Sequence, residues 1–312
     1  MALRLGLGLG LPQMPQYDPR RDVRDVARAA EETGFDSVWT FERALVPDEP
    51  LDGLYGTPGL PWPDFYRHCT DPLVTLALAA AVTDRVRLGT SVLVSGLHAP
   101  FPLARTLATL DAAGGGRVLA GFGTGWSQDE YRAAGVTAYP DRGAQLDELL
   151  DVCAAVWGPD PVAYRGRWTQ IAPASVGPKP ARPIPVYLAG SGGRALERVA
   201  RRADGWLPGH VTGPQLALYL AKLKEAAARH GRDAGKLDVV LRVGGELTGA
   251  PLPEAGRRPY TGSPEQVLAD LAGAAEAGAR EVLLDLQTHC RDGAELADRA
   301  AELHGRVRAA GL

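Results

Sequence analysis

Three cysteines in 312 residues, at positions 69, 153 and 290, form no CxxC pair. That spacing excludes a zinc ribbon and a dithiol redox site, and all three are read as free packing residues. The six histidines have no ligand-like spacing, so no metal centre is expected. No run approaches the ~20 apolar residues of a membrane span. The opening stretch MALRLGLGLGLPQMP alternates and lacks the basic region and long apolar run of a signal peptide, so a cytoplasmic protein is expected. Blocks of like charge are missing, and the formal net charge is only −3. A basic face for nucleic acid is therefore not expected. GxSxG does not occur, which leaves a hydrolase nucleophile unsupported. GxGxxG does not follow the first strand-like segment, which argues against a Rossmann domain.

Strand-like and helix-like segments alternate almost from end to end. Strands are expected at 3–10, 36–41, 86–94, 118–122, 184–189, 205–207, 237–247 and 281–286. Helices are expected at 22–33, 71–82, 102–112, 128–134, 142–157, 194–202, 214–229, 264–277 and 293–309. Regular βα alternation implies a parallel sheet, and eight such units are the number that closes a (β/α)8 TIM barrel. No composition break divides the chain, so residues 1–312 are read as one α/β domain. Two segments interrupt the rhythm, one after the second strand and one beyond the fourth. Residues 44–69 are dense in Pro and Gly and carry five ring side chains, Tyr55, Trp62, Phe65, Tyr66 and His68. Residues 158–182 are irregular, with prolines at 159, 161, 173, 178 and 180.

In such a barrel the chemistry lies in the loops after the strands. Glu42–Arg43 follows the second strand. The pair is either an ion pair at the rim, or Glu42 accepts a hydrogen bond from a cofactor while Arg43 holds an anion. Arg is always protonated and makes a poor acid or base. After the third strand the polar candidates are Ser91 and His98, the latter read as structural. After the fourth, GFGTGW (121–126) offers glycines for close backbone approach, with Trp126 either walling a ring or packing. After the fifth, AGSGGR (189–194) runs into a helix, whose amides form an anion site or a capping turn. With no visible nucleophile or metal, the chemistry is assigned to a bound cofactor.

Taken together, GFDSVWTFER, RVRLGTSVLV, LATLDAAGGGRVLAGFGTGW, GPKP, PVYLAGSGGRALERVARRADGWLP and GSPEQVLADLAGAAEAGAREVLL resemble the bacterial luciferase-like family, in that family's order. The closest likeness is to its branch of coenzyme F420-dependent oxidoreductases. The resemblance implies a (β/α)8 barrel, usually dimeric, that binds F420 or FMN. It further implies a non-proline cis peptide at Ser91–Val92 behind the deazaflavin ring. Thr124, Gly125 and Trp126 would line the ring and substrate, and Gly190, Ser191, Gly192 and Gly193 would hold the cofactor phosphate. Sugar-phosphate and alcohol dehydrogenases of the family carry Asp-His where this chain has Glu42–Arg43. The sugar-phosphate enzymes also carry a catalytic Glu where this chain has Trp126. The expected chemistry is hydride transfer from reduced F420 to a small electron-poor substrate. Glu42, Arg43, Trp126 and His68 are the catalytic candidates, and Glu42 is also a cofactor ligand. The alternatives are an FMN-dependent monooxygenase fed by a separate flavin reductase, and a non-catalytic flavin- or deazaflavin-binding protein.

Overall fold

The computed structural model describes residues 4–136 and 139–312. Leu3, where the first strand was expected to begin, lies outside the described residues. Eight parallel strands close a ring. They are β1 (Gly6–Gly10), β2 (Ser37–Thr40), β3 (Arg87–Thr90), β4 (Val118–Gly123), β5 (Val186–Ala189), β6 (Gly205–Leu207), β7 (Asp238–Val243) and β8 (Glu281–Leu284). Each pairs with the next, and β8 pairs with β1 in the register Gly6↔Glu281 to Leu9↔Leu284. The third strand resumes as Leu93–Val94 beyond a cis Ser91–Val92 bond, the bond the family resemblance implies. Around the ring stand α1 (Asp22–Thr33), α2 (Pro72–Ala80), α3 (Pro100–Ala113), α4 (Gln128–Ala133), α5 (Arg142–Trp157), α6 (Gly193–Arg202), α7 (Gly213–Arg229), α8 (Pro264–Ala277) and α9 (Gly293–Ala309). No helix among the described residues is long and apolar enough to cross a membrane.

The alternation in LGLGLGL has a direct structural meaning, because successive side chains of a strand face opposite ways. Leu5, Leu7, Leu9 and Leu11 are buried in the main core. Gly6, Gly8 and Gly10 face the barrel interior, where side chains from the neighbouring strands take the space. A Cβ on Gly8 would lie 2.7 Å from Trp39 Nε1, and one on Gly10 would lie 3.1 Å from Asp285 Oδ1. The interior is stacked in layers. An apolar layer of Trp39, Leu119, Tyr187, Leu207, Val240 and Leu283 fills the middle. Below it, Glu281 is 3% exposed and pairs with Arg87, and it accepts from the Ser37 hydroxyl. Desolvation pushes the Glu281 carboxyl above the usual carboxylate range, and Arg87 opposes the shift. Above the apolar layer a second ion pair, Arg242–Asp285, caps the interior at the mouth.

The segment 158–182, expected to be irregular, contains an antiparallel hairpin, Val162–Arg165 with Gln170–Ala174. Its prolines hide the strand pattern. What fixes its turn comes from elsewhere in the chain: the Glu148 carboxylate on α5 accepts from the amides of Arg167 (2.8 Å), Trp168 (2.9 Å) and Thr169 (2.6 Å).

The large rings of the apolar layer require glycine opposite them. A Cβ on Gly89 would lie 2.2 Å from Trp39 Cε3, and one on Gly205 equally close to the Tyr187 ring. Gly89→Ala is therefore expected to destabilise the barrel by ~1–3 kcal/mol, the cost of overpacking a filled core. Gly305→Ala is the control: its Cβ meets nothing within 4 Å on α9. That change should stabilise by ~0.5–1 kcal/mol. Chemical denaturation of both variants measures the difference, and equal stability would mean the interior is not close-packed at Trp39.

Candidate active site at the barrel mouth

A cavity of about 640 Å³ opens at the C-terminal ends of the strands. Its lining includes Glu42, Arg43, Ser91, Val92, Thr124, Gly125, Trp126, Gly190 and Ser191, which distant parts of the sequence bring together. Gly192 and Gly193 stand just beyond, exposed at the start of α6. His68 is exposed and outside this lining, so the structure removes it from the catalytic candidates. It follows the short helical turn Asp64–Tyr66, which turns Tyr66 inward instead.

The floor is a polar network built on Arg242. Its guanidinium donates to Asp285 Oδ2 at 2.5 Å and to the Ser91 carbonyl at 2.8 Å. Desolvation opposes the charge on Arg242, but Asp285, ahead of Tyr66 and Tyr55, more than offsets it and holds the group above an ordinary arginine. Gln287 donates to Asp285 Oδ1 (2.9 Å) and accepts from the Gln13 amide (3.0 Å). Gln13 in turn bridges the Phe41 backbone with both side-chain atoms, at 2.9 and 2.7 Å. Strand β7 and the loops after β1, β2, β3 and β8 are thus tied together under the cavity. Arg242, Asp285 and Gln13 are not among the residues that the sequence motifs point to. The available signal was a lone arginine at alternate spacing to Val240 in the apolar run VVLRV.

Neither charge of the Glu42–Arg43 pair is free. Glu42 accepts from the Val94 amide (2.6 Å) and pairs with His98 Nε2 (2.8 Å), which fixes the loop after β3. Arg43 pairs with Glu130 Oε2 at 2.7 Å, with side chains only 8% and 2% exposed. It also lies 5.0, 5.3 and 4.8 Å from the ring centres of Trp62, Tyr66 and Trp126. Burial pushes the Glu130 carboxyl up, and Arg43 opposes it. Glu130 is a further residue the sequence did not disclose. It sits on α4 and reaches the loop 87 positions earlier.

The insertion 44–69 is stapled to the start of α4. Glu130 takes the Ala44 amide (2.8 Å), Asp129 takes the Leu51 amide (3.0 Å), and Asp52 takes the Gln128 amide (2.9 Å). Trp126 then meets Trp62 at 4.6 Å and Tyr55 at 5.7 Å between ring centres. Tyr55, Tyr66 and Trp126 wall one side of the cavity. Phe65 packs against Tyr66 and the core, away from the lining. Cys69, half-buried near Arg43, is pushed up to about 12 by burial, which makes it a packing residue and no nucleophile.

The opposite end of the cavity is open backbone. Gly190 has φ +113°, a left-handed conformation suited to glycine, and Gly192 caps α6 without a side-chain bond. A Cβ on Gly192 or Gly193 would meet nothing within 4 Å. The first amides of a ten-residue helix therefore face open space, beside the Ser191 hydroxyl.

Comparison with known proteins agrees with this architecture. A model of the luciferase-like monooxygenase family matches residues 4–244. An uncharacterised protein of Mycobacterium tuberculosis is 36% identical over 211 residues, 66% of this chain and 74% of that one. The F420-dependent glucose-6-phosphate dehydrogenase of Kineococcus radiotolerans is 32% identical over 236 residues, 73% of this chain and 64% of that enzyme. Among solved structures, the coenzyme F420-dependent tetrahydromethanopterin reductase of Methanopyrus kandleri superposes with TM-score 0.74 at 18% identity, covering 97% of both chains. A monooxygenase from Streptomyces bottropensis superposes with TM-score 0.77 at 21% identity, covering 99% of this chain and 100% of that one. With the family sequence model spanning most of a chain that folds as a closed parallel barrel, this protein belongs to the luciferase-like monooxygenase family.

Proposed function

We propose that this protein is an oxidoreductase that uses coenzyme F420 for hydride transfer to a small organic substrate, the whole chain acting as one unit around the mouth cavity. The observation that carries the reading is the division of that cavity into an apolar slot and an open amide terminus. Val92, Ala189 and Leu207 offer apolar surface to a planar ring. Gly123 narrows the slot opposite Val92, where a Cβ would come within 2.7 Å of Cγ2. The Gly192 to Arg194 amides and Ser191 suit a phosphate, because helix N-terminal amides point at an anion and the dipole favours it. The donor set therefore fits a ring compound with an anionic tail. F420 supplies a hydride donor when reduced, and a separate reductase would regenerate it. The F420-dependent relatives support deazaflavin over FMN.

The chain's own residues orient and exclude. Arg242 holds the Ser91 carbonyl, which fixes the floor. Glu42 positions the strand-three loop through Val94 and His98, a change from its expected part as a direct cofactor ligand. Arg43, neutralised by Glu130, braces the aromatic wall instead of clamping an anion. A homodimer is also proposed. The exposed face of α2 supports it: the sequence PLVTLALAA has no charge, and Val74 is 62% exposed.

Spectral titration with F420 and with FMN tests the cofactor. F420 should bind the more tightly. Preference for FMN would favour the flavin monooxygenase reading, and binding without hydride transfer to any acceptor would leave a carrier. Gly192→Asp should weaken F420 at least tenfold, ~1.4 kcal/mol, by setting a carboxylate before the helix amides. Gly192→Ala should bind like wild type, since its Cβ meets nothing. Equal affinity for all three proteins would move the phosphate elsewhere.

The buried pair makes a separate prediction. Arg43→Ala or Glu130→Ala alone leaves an unpaired buried charge and should cost about 3–5 kcal/mol of stability. Arg43→Met combined with Glu130→Leu should cost much less than the two single changes summed. Thermal melts of the three variants are the measurement, and additive losses would show that the pair is not coupled.

A further inference from the structure

Hydride transfer to a polarised double bond leaves a negative charge that must take up a proton. The ionisable side chains of the mouth are nearly all committed elsewhere. Glu42 is held by Val94 and His98, Glu130 by Arg43, and Asp285 by Arg242 and Gln287. Tyr66 shares a hydrogen bond with Tyr55, and burial drives its hydroxyl far above the usual range. One group differs. His210 lines the cavity just beyond β6, and its ring nitrogens have no hydrogen-bond partner among the described residues. Its one bond is made by the backbone, the amide donating to the Arg242 carbonyl at 2.9 Å. Its φ of 54° is left-handed, which is uncommon for a residue other than glycine and concentrates at functional sites.

The cavity's charges also restrict what can bind beside it. Both guanidiniums in the lining, Arg43 and Arg242, already face carboxylates. A sugar phosphate or carboxylate would find both guanidiniums already paired with a carboxylate, whereas the Tyr55, Tyr66 and Trp126 wall suits a flat neutral molecule.

We propose that His210 is the proton-transfer residue of this site and that its substrate is a neutral conjugated acceptor of the enone class. The proposal rests on the deazaflavin reading above. A hydride from the reduced deazaflavin adds to the β-carbon, and the C=C electron pair shifts to form an enolate. The His210 imidazolium N–H then protonates the α-carbon. The products are the saturated ketone, neutral imidazole and the two-electron-oxidised cofactor, which releases its remaining proton to solvent while the imidazole regains one from water at the open mouth. Although His210 is exposed at the open mouth, desolvation by the cavity walls, then Arg242, lowers its pKa. Asp285 opposes the shift and Arg258 adds to it. The imidazolium is thus a stronger acid than free histidine, and turnover should rise as pH falls and level off once the ring is charged.

The test uses His210→Asn, because Asn tolerates the left-handed backbone and carries no exchangeable charge. With reduced F420 and cyclohex-2-enone, kcat should fall on the order of 10²-fold or more. Binding of F420 should stay within twofold, and the rise of kcat toward low pH should disappear. In the cofactor-free protein, the imidazole NMR resonance missing from His210→Asn should titrate below free histidine and shift when cyclohex-2-enone is added. A variant with wild-type turnover and pH profile would overturn the proton role. An F420-loaded wild type that leaves cyclohex-2-enone unreduced, or a His210 resonance unmoved by it, would overturn the substrate class. Wild-type protein that binds FMN and not F420 would overturn the cofactor reading alone, since the NMR titration reads His210 without any cofactor.

Discussion

The mouth of this barrel depends on one buried ion pair. Arg242 points inward from β7, and Asp285 meets it from the end of β8, seated in space that Gly10 leaves open on β1. A lone guanidinium there would be costly to desolvate, so the carboxylate is required for the arginine to exist at that depth. Once paired, Arg242 has a second donor to spend on the Ser91 carbonyl, and Asp285 has a second oxygen for Gln287. Through Gln287 and Gln13 the same network reaches Phe41, the residue before Glu42. The cavity floor is therefore one connected polar network that joins β7 to the loops after four other strands.

A second buried pair governs the wall. Arg43 and Glu130 neutralise each other between the insertion and α4, and the aromatic rings close around the guanidinium. The consequence for chemistry is a mouth with two arginines and little free positive charge. Its ring-walled end favours flat neutral molecules, while the α6 amides at the other end favour an anion. The two ends thus have opposite preferences, the arrangement a ring compound with a charged tail would exploit.

Much of the barrel was legible in the sequence. The period-two run LGLGLGL, the glycine that ends α1 at Gly34, and eight strand-helix units each have a local physical cause. Four helices, α1, α5, α8 and α9, begin and end where the residue pattern puts them. The hairpin within 158–182 was not legible, because its turn is pinned by Glu148 from another element. The glycine loops after β4 and β5 were readable as close-approach backbone. His68 was misread because an aromatic-rich insertion does not say which of its rings turn inward.

Sequence by itself determined which strand residues face the barrel interior and which loops form its mouth, because side-chain alternation and helix periodicity act over a few residues. Tertiary structure alone decided which charges remain available there. Glu42 and Arg43 are neighbours in the chain, yet their partners are His98 and Glu130, 56 and 87 positions away. Whether a buried charge is a reagent or a brace depends on what lies within hydrogen-bond reach of it, and only the closed barrel sets those distances.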